Sequence, residues 1–167
     1  MNLYILRHGV AVEHGAPGYE NDDERPLMAK GERKIWRVTE AMKAMELEFD
    51  LILSSPLPRA SQTAGIVAGA FKAKKKVEFS DDLKPDGSTK KLVESLQKLR
   101  PQAENILLSG HEPYLSGLIS LLVSGTLDSR FELKKGALCK LEIEALKPGR
   151  CATLQWLLTP RQMELMA

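Results

Sequence analysis

Two arginines and two histidines carry the chemistry that this sequence offers. Arg7 and His8 close the first apolar run, Leu3-Tyr4-Ile5-Leu6, and Gly9 follows them. That segment brings together a fixed cation, an imidazole able to act as a nucleophile near neutral pH, and backbone that a ligand can approach closely. Arg59 follows a second apolar run, Leu51-Ile52-Leu53, through Ser54-Ser55-Pro56-Leu57-Pro58. His111 follows a third, Ile106-Leu107-Leu108, through Ser109-Gly110, and leads into Glu112-Pro113. Such a set suits phosphoryl transfer, in which negative charge spreads over the phosphoryl oxygens and catalysis rests on positioning and electrostatic clamping. The planar fork of arginine grips two oxygens at once. A neutral imidazole can attack phosphorus in line, giving a phosphohistidine that water then hydrolyses. Two nearby guanidinium groups should keep that imidazole unprotonated. The scheme needs no metal, and the His, Cys and Asp residues show no metal-site spacing.

Each residue taken singly has an ordinary role. An Arg-His pair after a strand is commonly a solvated loop, Arg59 on a helix a surface ion pair, and His111 a helix cap. Their joint occurrence at three equivalent strand exits is what points to a site. His14 and the acidic run Asp22, Asp23, Glu24 lack such support and are assigned to a solvated loop.

The elements that must position these residues follow from the apolar pattern. Residues 3–6, 51–53 and 106–108 read as buried strands, and Val77-Glu78-Phe79 as a short one. Residues 28–45 carry a helical stripe of Ile35, Val38, Met42 and Met45. Helices are also expected over 57–71, over 89–99 with Leu92, Leu96 and Leu99 on one face, and over the apolar stretch 115–123. Residues 10–27 form a long polar loop. Strands at 137–143 and 152–158 should pair through a turn at Lys147-Pro148-Gly149, which places Cys151 opposite Leu146 and away from Cys139. Alternating strands and helices imply an α/β fold: three layers, α/β/α, with a mostly parallel central sheet and an antiparallel C-terminal edge. Parallel strands put their carboxyl ends on one side, where open α/β sheets bind ligands. The three exits should therefore meet in one crevice, with the 10–27 loop as its open mouth or flap.

Bulk properties narrow the class. The 167 residues, 43% hydrophobic and 28% charged, are expected to form a single domain over 1–167. A net charge of +2 does not argue for nucleic acid, and the Lys72, Lys74, Lys75, Lys76 cluster reads as a solvated loop. The apolar stretch 115–123 is interrupted by Ser116, Gly117 and Ser120 and is too short for a bilayer, so no membrane partner is expected. The absence of a leader pattern and two unpaired cysteines fit a cytoplasmic protein.

At this point the motifs resemble a known family. LYILRHG at 3–9 looks like the signature of the histidine phosphatase superfamily, also called phosphoglycerate mutase-like. SSPLPRASQT at 54–63 resembles its second motif, and SGHEP at 109–113 its third, in family order across nearly the whole chain. The resemblance implies that His8 is the phosphorylated nucleophile, and that Arg7, Arg59 and His111 complete the phosphate pocket, with His111 also stabilising the transferring group. Glu24-Arg25-Pro26-Leu27 with Lys30-Gly31, and Leu83-Lys84-Pro85-Asp86-Gly87, are similar to elements of SixA-type phosphohistidine phosphatases. The match departs at Met28, commonly Thr in that group, and at Glu112-Pro113. Family mutases and sugar phosphatases carry a long insertion with a glutamate general acid, and this chain has no counterpart to it.

The missing acid bears on the leaving group. An alkoxide is strongly basic and benefits greatly from a positioned acid, whereas imidazole is far less basic. The expected reaction is therefore cofactor-free removal of phosphate from phosphohistidine on a protein, with Asp86, Glu13 or Glu112 as candidate acids, Asp86 marginally first. The alternatives are a broad phosphomonoesterase of small sugar or nucleotide phosphates, and a non-catalytic phosphate- or phosphohistidine-binding adaptor.

Overall fold

Strand β1 (Asn2–Arg7) lies inside a six-stranded sheet because the apolar run that forms it is buried on both faces. The computed structural model describes residues 1–99 and 103–167. β1 pairs in parallel with β4 (Asn105–Gly110), which pairs in parallel with β2 (Leu51–Ser54), which in turn pairs in parallel with β3 (Val77–Phe79). On its other side β1 pairs antiparallel with β5 (Leu138–Ile143), and β6 (Ala152–Leu158) closes that edge, giving the order β3-β2-β4-β1-β5-β6.

The period-two alternation of strands divides the core. Leu3, Ile5, Leu53, Ile106 and Leu108 pack on one face against α3 (Thr89–Leu99) and α4 (Tyr114–Ser124). Tyr4, Leu6, Ile52 and Leu107 pack on the other against α1 (Ala29–Ala44), α2 (Pro58–Ala70) and Met163 of α5 (Pro160–Glu164). Helices thus cover both faces, and the expected three-layer α/β/α arrangement is the one found. Each fully buried leucine or isoleucine contributes roughly 1.5–3 kcal/mol. The stripes are as expected where the helices touch the sheet: Ile35, Val38 and Met42 are buried, as are Leu92 and Leu96. Met45 and Leu99, at the helix ends, are only half-buried. Leu115, Leu118, Ile119 and Leu122 are buried, so α4 is a core helix.

The C-terminal hairpin departs from the expected tight turn. Ile143 pairs with Ala152, so the connection spans 144–151 and Cys151 is not paired opposite Leu146. The strands stop early because Leu146 turns into the core, where its carbonyl accepts a hydrogen bond from Gln97 Nε2 at 2.7 Å. The cysteine expectation holds: Cys139 pairs with Leu157, and both thiols are free. Among the described residues no helix is long and apolar enough to cross a membrane.

Candidate active site

Sheet register brings the three strand exits to one level. Arg7 pairs with Gly110, and both Leu6 and Ser54 pair with Ser109. Just beyond, His8 N donates to Gly110 O at 3.0 Å and Ser55 N donates to Ser109 O at 2.9 Å. The side chains of Arg7, His8, Arg59 and His111 consequently line one cavity of about 420 Å³ at the carboxyl edge of the parallel strands.

Two close approaches hold the first exit. Gly9 N donates to Thr63 Oγ1 at 3.1 Å, and that hydroxyl donates to Arg59 O at 2.7 Å, tying the first exit to the second. At Gly31 an added Cβ would stand 2.1 Å from Val10 O, so only glycine lets α1 begin against this backbone. The 10–27 loop has a closed base: Ala11 bridges Leu27, Val12 N donates to Pro26 O, and Met28 N donates to Val10 O.

His8 is held in one tautomer. Its Nδ1 lies 2.7 Å from Gly9 O, and a carbonyl only accepts, so the proton sits on Nδ1 and Nε2 carries the lone pair. Burial pushes the His8 pKa down to about 3, and the charges of His111, Arg59 and Arg7 push the same way, against the bond to Gly9. The ring is neutral at pH 7. Guanidinium repulsion acts in the expected direction, but desolvation is the larger cause.

The His111 ring lies 5.2 Å from that of His8, centroid to centroid, and its Nε2 is 2.8 Å from Ser55 Oγ. Burial, then Arg59, lowers its pKa to about 4. Arg7 Nη1 donates to Leu133 O at 2.9 Å, which aims the guanidinium along the cavity wall. Arg7 Nε and Arg59 Nε are buried donors without a protein acceptor among the described residues.

The loop assigned to solvent contributes directly. Asp22, in the 3-10 turn Asp22–Glu24, accepts from Arg59 Nη2 at 3.1 Å through Oδ2 and from Arg25 Nε at 2.8 Å through Oδ1. Its backbone carbonyl accepts from Arg59 Nη1 at 2.8 Å. Against a desolvation penalty, Arg25, Arg59 and His14 hold the Asp22 carboxyl below the usual carboxylate range, so it is ionised. Asp22, Arg25 and His14 all line the cavity. Sequence reasoning missed all three as site residues; the only signal was Arg25 inside the Glu24-Arg25-Pro26-Leu27 element.

The three candidate acids fall in different places. Glu13 and Glu112 line the cavity, while Asp86 is exposed and only its neighbour Pro85 reaches the wall. Glu112 Oε1 accepts from Ser116 N at 2.9 Å, capping the start of α4.

Comparison with known proteins places this geometry. A family model of the histidine phosphatase superfamily (branch 1) matches residues 3–85. An uncharacterized protein of a Picosynechococcus species is 34% identical over 149 residues, 88% of each chain. The phosphohistidine phosphatase SixA of Escherichia coli K12 is 25% identical over 166 residues, covering 99% of this chain and 98% of that one. A solved structure of the protein histidine phosphatase SixA complexed with tungstate matches with a TM-score of 0.82 at 25% identity, covering 96% of this chain and 98% of that one.

Proposed function

The chain belongs to the histidine phosphatase superfamily, and from that premise we propose that it removes phosphate from phosphohistidine on a protein, through a phosphoryl group carried transiently on His8. The observation that carries this reading is the His8 ring: neutral, with its proton committed to Gly9 O and its Nε2 lone pair available in a cavity lined by arginines.

In this reading the Nε2 lone pair attacks phosphorus as the bond from phosphorus to the substrate imidazole breaks. Arg7 and Arg59 hold the phosphoryl oxygens, and His111 steadies the charge on the transferring group. The departing imidazole takes a proton from water or from Glu13 or Glu112 at the cavity wall. Water then attacks phospho-His8 and releases phosphate, restoring the lone pair. A weakly basic leaving group asks little of an acid, which fits a cavity whose ionised Asp22 cannot be one. The scheme rests on protein groups and requires no metal. Similarity to SixA along nearly the full chain, and the solved structure of SixA complexed with tungstate, support binding of a phosphate-like oxyanion.

The test is hydrolysis of a phosphohistidine-labelled carrier protein beside a panel of sugar and nucleotide phosphates. Selective loss of label that His8→Ala abolishes supports the reading. Faster turnover of a small phosphomonoester would replace it with the phosphomonoesterase. Oxyanion binding without any turnover would leave the adaptor.

A further inference from the structure

A second charged feature lies outside this cavity, on the flank where α1 and α5 meet. Lys30, Arg33, Lys34 and Arg37 recur at the i, i+3, i+4, i+7 spacing of one helix face, and with Arg161 and Glu164 they line a cleft of about 510 Å³. Five cations face one acid, in a chain whose 24 basic and 22 acidic residues almost balance. Among the described residues Glu164 pairs with Arg37 alone, at 3.8 Å.

The stripe works against the helix that bears it. Like charges three and four residues apart repel by roughly 0.2–0.5 kcal/mol per pair, and cations near a helix N-terminus oppose its dipole. The fold does not require them, since α1 packs in the core through Val38, Ala41 and Met42.

Gly136 ties the two helices that carry the cleft to the backbone of the cavity. An added Cβ at Gly136 would stand 3.3 Å from Ile35 Cδ1 and 3.3 Å from Pro160 Cγ, so α1, α5 and the segment before β5 meet there. Gly136 N donates to the carbonyls of Arg7 and His8, and its neighbour Lys135 lines the cavity.

We infer that the α1–α5 cleft is a docking surface for an acidic face of the protein whose phosphohistidine enters the cavity; this rests on the reading proposed above. A short acidic helix or loop fits better than nucleic acid. The stripe from 30 to 37 is only about 10 Å long at 1.5 Å per residue, no aromatic side chain lines it to stack on a base, and Trp36 lies in a separate groove with α2. With no apolar side chain in its lining, it does not suit a lipid surface either.

The test compares two synthetic phosphohistidine peptides that differ only in a Glu-rich or a Gln-rich tail, with phosphoramidate as a small control. At low salt kcat/KM should favour the acidic tail by about tenfold, and about 0.5 M salt should erase most of that preference. R33E/R161E should bring the two peptides to parity while phosphoramidate turnover stays unchanged and the melting temperature does not fall, since the exchange relieves like-charge repulsion along α1. Equal kcat/KM on both tails in the wild type, or a preference that survives in the variant, would overturn the docking surface alone. Hydrolysis of none of the three substrates would overturn the phosphatase reading, and the docking inference with it. Tight binding of duplex DNA or phosphatidylserine vesicles that R33E/R161E abolishes, without any tail preference, would reassign the cleft. So would a concentration-dependent dimer that the variant dissolves.

Discussion

Asp22 grips Arg59 across 37 residues of chain, with its Oδ2 3.1 Å from Nη2 and its backbone carbonyl 2.8 Å from Nη1. Arg59 is 2% exposed, and its other polar donor, Nε, has no protein acceptor among the described residues. An anion of the protein thus sits on the guanidinium assigned to the phosphoryl group, and it also holds Arg25. A phosphoryl dianion entering the cavity competes with this carboxylate.

Removing the competitor should strengthen oxyanion binding. We expect Asp22→Ala to lower the inhibition constant of orthovanadate about fivefold, close to 1 kcal/mol. Competitive inhibition assays measure it. A weaker inhibition would instead make Asp22 a residue that positions Arg59.

The depressed histidine pKa values make stability depend on pH. In the unfolded chain both histidines protonate near 6.5, while in the fold His8 resists to about 3 and His111 to about 4. Between pH 6 and 5 the unfolded state therefore holds more protons, and stability falls as pH falls, by about 1.4 kcal/mol per pH unit for each histidine. Denaturant unfolding over this range should show that slope, and His111→Gln should flatten it by about half. An unchanged slope in the variant would contradict the burial of His111 as a neutral ring.

Gly31→Ala should damage both fold and activity. Its Cβ would collide with the Val10 carbonyl, a backbone atom with nowhere to go. A loss of about 2 kcal/mol would lower Tm by about 6 °C, and turnover should fall with it because Val10 follows His8 and Gly9 directly. Calorimetry and initial rates report the two effects.

Ser55→Ala removes the hydroxyl 2.8 Å from His111 Nε2. Turnover should fall roughly tenfold, Tm should fall by a few degrees because the buried Leu57 N loses the same acceptor, and the acid limb of the pH–rate profile should shift. An unaltered profile would show that Ser55 has no hold on the ring.

Much of this site was legible in the sequence, for a physical reason. Leu3–Leu6, Leu51–Leu53 and Ile106–Leu108 are strands buried on both faces, and such strands read as plain apolar runs whose exits can be counted. Once they are parallel neighbours, Arg7, His8, Arg59 and His111 have to meet. The roles of Asp22 and Arg25 are not legible in the sequence because the 10–27 loop has no periodicity, and the partner that places Asp22 lies on another helix. Asp86 stands marginally first among the acids in the sequence, whereas the loop turns its neighbour Pro85 to the cavity. The hairpin register differs from the one the sequence suggests because Lys147-Pro148-Gly149 resembles a tight turn, whereas Leu146 gains more by entering the core. The cationic stripe of α1 was visible in the spacing, but Arg161, which completes the cleft, becomes its neighbour only in the fold.

In the proposed reaction phosphate passes through His8. The direct measurement is to quench the enzyme during turnover of a phosphohistidine substrate and map the phosphoryl adduct by mass spectrometry. An acid-labile, alkali-stable adduct on His8 is expected, with a fall in turnover of at least about 10³-fold in His8→Ala. An adduct on His111, or hydrolysis that continues in His8→Ala, would contradict it.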